Sequence, residues 1–186
     1  MLANLKRPTI FAHRGASAYA PENTLPAFEL ALQQAADAIE LDVKLTADGH
    51  VVIIHDQTLL RTTGQPGKVR EYALAEIQKL DAGSYFDIAF KGERIPTLAE
   101  LFEKVGDRAQ YDIELTNYAS LTDSLPEAVA ALVDRYALTE RVLFSSFNPL
   151  ALIRVRRKLP HNPIGLLARP GKNGHIPSGR LSSYPQ

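Results

Sequence analysis

The chain has 186 residues, of which 45% are hydrophobic and 23% charged; that is apolar material for one sizeable core and too little for two ordinary domains. Lys plus Arg (21) equal Asp plus Glu (21), so no overall field draws the chain to nucleic acid, and an anionic substrate must be held by a few placed groups. The absence of cysteine excludes disulfides, thiolate zinc sites and cysteine nucleophiles. No apolar stretch approaches the roughly 20 residues that span a bilayer, and the amino terminus runs almost directly into a motif without a signal-peptide pattern. The expectation is a soluble, cytoplasmic protein with no stable membrane insertion.

In chain order, Thr9-Ile10-Phe11-Ala12 is a short apolar run ending at His13-Arg14-Gly15, the pattern of a buried strand that delivers polar residues at its carboxyl end. Leu25, Phe28, Leu32 and Ala35 recur at helical spacing between Glu22 and Ala36, with Pro26 near the start, which predicts a helix. Ala38 to Leu45 alternates strictly, Asp48-Gly49 is a turn signal and Val51 to Ile54 is β-rich, so two strands joined by a tight turn are expected. Residues 56–95 are punctuated by Gly64, Pro66, Gly67, Gly83 and Gly92 and read as an inserted excursion with one short helical stretch near Leu74 to Leu80.

Regular alternation then resumes. Pro96-Thr97 opens a helix to about Val105, Tyr111 to Leu115 is a strand and Leu125 to Tyr136 a helix; Val142 to Ser145 is a strand, Pro149 to Lys158 a helix and Ile164 to Leu167 a strand. Strands alternating with helices imply parallel βαβ units, compatible with an open doubly wound sheet or a closed barrel. Residues 169–186 carry turn formers without apolar periodicity and read as an irregular tail.

Chemistry-bearing residues gather at the predicted strand ends. His13 and Arg14 pair an imidazole with a guanidinium that can grip phosphate bidentately, and Gly15 would let the backbone approach a ligand; the same triplet also fits a solvated turn. Glu40 and Asp42 lie two apart on one strand and so share a face, which is either a site or, with Lys44, a face turned to water. His55-Asp56 closes the second β-rich run, and two histidines can serve as acid and base in one reaction. Glu114 adds a third carboxylate. Three carboxylates without thiols suit a hard, oxygen-preferring ion such as Mg²⁺ or Ca²⁺. No phosphate-binding, dinucleotide-binding or nucleophile-elbow motif is present, and Ser145-Ser146 reads as strand-end hydroxyls shaping a cavity.

The ordered series Phe11-Ala12-His13-Arg14-Gly15, Pro21-Glu22-Asn23-Thr24, Ile39-Glu40-Leu41-Asp42-Val43, Asp48-Gly49, His55-Asp56, Ile95-Pro96-Thr97-Leu98 and Ile113-Glu114-Leu115 resembles the glycerophosphodiester phosphodiesterase family. The resemblance implies an α/β TIM-type barrel of eight βα units, here over residues 1–168 with an insertion at about 56–95. It implies hydrolysis of glycerophosphodiesters such as glycerophosphocholine to glycerol 3-phosphate and an alcohol, with His13 and His55 as the acid/base pair. Glu40, Asp42 and Glu114 would be the ligands of a divalent Mg²⁺ or Ca²⁺ ion, Arg14 would bind phosphate, and Glu22 and Asn23 would support the mouth of the site. Two departures stand out. Many family members carry Lys two residues after the third carboxylate, where this chain has Thr116, and three of the eight βα units are not found, so the barrel is expected to be incomplete. The resemblance also leaves room for a cyclising, phospholipase-like phosphodiesterase and for an inactive phosphodiester-binding fragment.

Overall fold

A computed structural model of the chain describes residues 8–118, 120 and 122–168. Six strands form one sheet: β1 (Phe11–His13), β2 (Ala38–Leu45), β3 (Val51–Ile53), β4 (Gln110–Leu115), β5 (Val142–Ser146) and β6 (Ile164–Leu166). The described helices are α1 (Leu25–Gln33), α2 (Leu60–Thr63), α3 (Leu74–Ile77), α4 (Leu98–Val105), α5 (Leu125–Arg135) and α6 (Pro149–Lys158). The order β1-β2-β4-β5-β6 is parallel throughout, and α1, α4, α5 and α6 stand in the connections. Pro26, Pro126 and Pro149 occupy the first turns of α1, α5 and α6, where the missing N–H costs no intrahelical bond. Thr97 starts α4 with a reciprocal cap: its hydroxyl accepts from Glu100 N at 3.0 Å while its own N–H donates to the Glu100 carboxylate at 2.7 Å.

β3 runs antiparallel to β2, opposite Val43 to Leu45, whereas β1 pairs with Ala38 to Glu40. Both use the β2 edge away from β4, so β3 extends that edge beyond the end of β1. The intervening turn is closed by Thr46 N donating to His50 O at 2.9 Å, with Gly49 at φ +82°, a value that favours glycine.

All the crossover helices pack on one side of the sheet. Ile39, Leu41 and Val43 of β2, Tyr111, Ile113 and Leu115 of β4, and Val142 and Phe144 of β5 form one core with Phe28 of α1, Leu101 of α4, Val129 of α5 and Val155 of α6. A doubly wound sheet would carry helices on both faces, so this single-sided arrangement decides for the wall of a (β/α) barrel. Each fully buried Leu, Ile or Phe contributes roughly 1.5–3 kcal/mol. β1 and β6 end the strand order, and the described wall is an open arc. Leu150 and Ile153 of α6 and Ile164 and Leu166 of β6 are exposed.

Residues 56–95 hold more structure than their sequence suggests. β3 splits its alternating side chains between two cores: Val51 and Ile53 join the main one, while Val52 joins Ile54, Leu59, Val69, Ile77, Ala82 and Ile95 in a second, smaller one. The helix expected at Leu74 to Leu80 stops at Ile77. Asp81 then turns the chain, its Oδ1 accepting from Gly83 N and Ser84 N, both at 2.9 Å. The first strand begins at Phe11 rather than Thr9, because pairing starts at Ala38 and the Ile10 N–H goes to the Asp37 carboxylate at 2.9 Å. Among the described residues no helix is long and apolar enough to cross a membrane. The tail at 169–186 lies outside the described residues.

Candidate active site

The parallel register sets side chains in rows on the face opposite the helices. His13, Glu40, Asp112 and Leu143 occupy one row across β1, β2, β4 and β5, and Asp42, Glu114 and Ser145 the next, toward the carboxyl ends. One carboxylate oxygen from each of Glu40, Asp42 and Glu114 lies within 4.8 Å of the others. This face is not turned to water: Asp42 is 1% and Lys44 5% exposed. Burial, followed by the charge of Asp42, pushes the Glu40 pKa up to about 9. Burial, Asp42 and Asp112 raise Glu114 to about 7. Asp112 rises to about 6 through burial, opposed by a hydrogen bond from Ser145 Oγ at 2.7 Å. Carboxylates forced together in this way need a counter-charge to ionise together.

The remaining contacts show where such a charge fits. Asp42 Oδ2 accepts from Asn23 Nδ2 at 2.9 Å, while Asp42 Oδ1 is buried without a hydrogen-bond partner. Glu40 Oε2 accepts from the backbone N of Arg14 at 3.0 Å, and Glu114 accepts from the Tyr118 hydroxyl. A buried orphan oxygen beside two further carboxylates, with no nitrogen or sulfur donor in the trio, matches the preferences of a hard divalent cation.

The loop after β1 brings the other expected residues to this cluster. Arg14 and Asn23 both adopt φ +58° and are tied by Asn23 N donating to Arg14 O at 3.0 Å; left-handed backbone at non-glycine residues is a strain that surrounding structure must hold. Gly15 has a packing role of its own. At φ +80°, a Cβ there would lie 2.7 Å from the Ala27 carbonyl carbon, so glycine lets the loop rest on the first turn of α1. The Arg14 guanidinium reaches Glu22 at 3.0 Å and Asp42 at 3.3 Å.

Glu22 also receives Arg61, at 2.7 and 2.9 Å, and Arg61 Nε contacts Asp56 Oδ2 at 2.7 Å. His55 Nδ1 lies 2.7 Å from Asp56 Oδ1. An unbroken chain of polar contacts thus runs from Arg14 through Glu22, Arg61 and Asp56 to His55. His13 Nε2 is 3.9 Å from Glu40 Oε2. Partial desolvation of its ring, then the Arg14 charge, lowers its pKa, and His55 is near enough to add to that effect.

A sequence model of the glycerophosphoryl diester phosphodiesterase family matches residues 13–178. The chain belongs to this family. The glycerophosphodiester phosphodiesterase of Caldanaerobacter subterraneus subsp. tengcongensis is 47% identical over 163 residues, covering 87% of this chain and 67% of the relative. The crystal structure of a glycerophosphodiester phosphodiesterase from Agrobacterium tumefaciens is similar with a TM-score of 0.77 at 41% identity, over 84% of this chain and 65% of that one. An Oleispira antarctica phosphodiesterase, solved in complex with the product sn-glycerol-3-phosphate, has a TM-score of 0.81 at 37% identity, over 86% and 65% of the two chains. This family member therefore spans about two thirds of the length of the relatives it matches.

Several residues of the site went unread in this phosphodiesterase-family sequence. Asp112 had a signal, since Asp112-Ile113-Glu114 repeats the alternation of Glu40-Leu41-Asp42. Lys44 follows Asp42 by two and so shares its face; burial lowers its pKa to about 8. Arg61 lies in the insertion and has no local signal, because its partners are 39 and 5 residues away. Of the two serines, Ser145 meets Asp112, whereas Ser146 Oγ donates to Leu115 O at 2.6 Å and accepts from Asn148 N at 3.0 Å. Ser146 therefore holds the start of α6 instead of shaping the cavity.

Proposed function

We propose that this chain carries the divalent-metal-dependent hydrolysis of glycerophosphodiesters to glycerol 3-phosphate and an alcohol. The observation that carries the reading is the convergence of Glu40, Asp42 and Glu114 oxygens within 4.8 Å, one of the Asp42 oxygens being buried and unpartnered. Family membership and the product held by the Oleispira antarctica relative support the substrate class.

Glu40, Asp42 and Glu114 would hold Mg²⁺ or Ca²⁺, which, when bound, offsets the charge of the phosphodiester oxygens and makes phosphorus more electrophilic. Asn23 fixes Asp42 through its amide, and Glu22 holds Arg14, whose guanidinium adds positive charge toward the phosphate. His13 and His55 form the acid/base pair. With Nδ1–H donated to Asp56, His55 keeps Nε2 for proton transfer. One imidazole takes the proton from water or from the glycerol 2-hydroxyl, and the other protonates the leaving alkoxide oxygen.

The test is a coupled assay of glycerol 3-phosphate release from glycerophosphocholine with Mg²⁺ or Ca²⁺ and with a chelator. Release only with the cation is expected. A cyclic glycerophosphate as end product would reassign the chain to the cyclising phosphodiesterases, and cation binding without turnover would make it a binding module.

A further inference from the structure

Among the cations around the site, two are already engaged. Arg14 is held by Glu22 and Asp42, and Arg61 by Glu22 and Asp56. Lys44 differs. It is 5% exposed, and among the described residues no carboxylate forms an ion pair with it. Its ammonium donates to Thr116 Oγ1 at 2.6 Å and approaches Thr116 O at 3.4 Å, both neutral acceptors. Lys44 stands two residues beyond Asp42 on β2, and Thr116 two beyond Glu114 at the end of β4, on the same face as the carboxylates. The ammonium therefore sits one row beyond the Asp42–Glu114 pair, toward the carboxyl ends of the strands. A cavity of about 190 Å³ opens beside it, lined among others by Gln57, the exposed Arg70, Thr116, Asn117 and Asp123.

Burying an ammonium without an anion is costly, and Lys has three donors, of which Thr116 occupies at most two. An anion entering from outside would meet that remaining donor next to the row that would hold the cation. We infer that Lys44 contacts the phosphate group of the bound diester and of its glycerol 3-phosphate product, as a buried cation of this site with no ion pair to a carboxylate among the described residues. The inference rests on the proposed function. The alternative is that Lys44 only offsets the field of Asp42, Glu114, Asp56 and Asp123. The two differ in phosphate affinity: in the alternative, removing the ammonium leaves the phosphate affinity of the cation-loaded protein unchanged.

The experiment is calorimetric binding of sn-glycerol 3-phosphate to the full chain saturated with Ca²⁺, for wild type, Lys44→Met, Thr116→Val and Lys44→Met/Thr116→Lys. Lys44→Met should weaken glycerol 3-phosphate by about 10- to 100-fold, the loss expected for one charge-assisted contact. Thr116→Val, which keeps the ammonium, should stay within about threefold of wild type, and the double variant should recover at least about tenfold over Lys44→Met. Unchanged affinity in Lys44→Met overturns the inference while leaving the proposed function standing. No binding to cation-loaded wild type overturns the inference, and the release assay then decides the proposed function by itself. If Lys44→Met does not fold, the ¹⁵Nζ resonance of Lys44 in wild type decides: a shift on adding glycerol 3-phosphate supports the contact, and an unmoved resonance overturns it.

Discussion

On one face of the β2–β4 seam Ile39, Leu41 and Val43 lie beside Tyr111, Ile113 and Leu115; on the other, Glu40, Asp42 and Lys44 lie beside Asp112, Glu114 and Thr116. Backbone and register are shared, and Asp42, Lys44 and Thr116 are buried while Glu40, Asp112 and Glu114 are partly so, yet the energetics have opposite sign. Each apolar side chain gains by leaving water, so that face contributes stability. Each carboxylate loses hydration and is left among like charges, so the other face costs stability unless a counter-charge offsets them. A face that is buried and unfavourable when empty is where a ligand has most to offer.

The sharpest way to separate the faces is through turnover. His13→Ala and His55→Ala, in a form of the enzyme that releases glycerol 3-phosphate, should each lower kcat by about 10² to 10⁴ with unfolding changed by less than about 1 kcal/mol. Near wild-type kcat in either variant would remove that histidine from the acid/base pair.

Next in size, Leu41→Ala on the helix-facing side should cost about 2–5 kcal/mol in denaturant unfolding while leaving the cation affinity of the folded protein unchanged. Loss of cation binding without loss of stability would mean that the faces are not independent.

A smaller effect sharpens the contrast through pH. The Glu40 pKa of about 9 in the fold lies above its ordinary 4.5, as do the values of about 7 for Glu114 and about 6 for Asp112 above theirs. The metal-free fold thus holds protons more tightly than the unfolded chain. That stabilisation is complete below about pH 4 and is lost in steps as pH climbs through about 6, 7 and 9. Thermal unfolding with a chelator should therefore show a falling Tm from about pH 5 to 9. Mg²⁺ or Ca²⁺ must displace the same protons, so the rise in Tm on adding cation should grow over that window, by about 2–4 °C per kcal/mol. A cation effect independent of pH would place the ion elsewhere.

Smallest is Ser145→Ala, which removes the 2.7 Å hydrogen bond to Asp112. It should cost about 1 kcal/mol in unfolding and raise the Asp112 pKa further, read by carboxyl ¹³C titration. A lowered pKa would show that Ser145 does not stabilise the ionised form.

Much of the fold was legible because it is local. Strict alternation from Ala38 to Leu45 matches β2 to the residue, and Pro149 to Lys158 matches α6. Those patterns record which side chains face a core, and backbone geometry repeats every two or 3.6 residues. Glu40 with Asp42 followed from the same rule, and Glu114 with the two histidines from the ends of apolar runs. Asp112 was equally readable, by the alternation it shares with Glu114.

What the alternation left open was whether Glu40, Asp42 and Lys44 faced water or a site, and whether the sheet was doubly wound or a barrel wall. Tertiary structure decided the second by placing every crossover helix on the Leu41 side, and on the first it removed the water-facing reading by burying Asp42 and Lys44 on the other. The chain of polar contacts from Arg14 to His55, the second core under residues 56–95 and the lysine held by Thr116 likewise depend on contacts far apart in sequence: Arg61 meets Glu22 across 39 positions and Lys44 meets Thr116 across 72. A local pattern fixes which face of an element a residue occupies, because that is set by the dihedral angles of its own neighbours. It does not fix what stands opposite, because that is set by how separate elements pack.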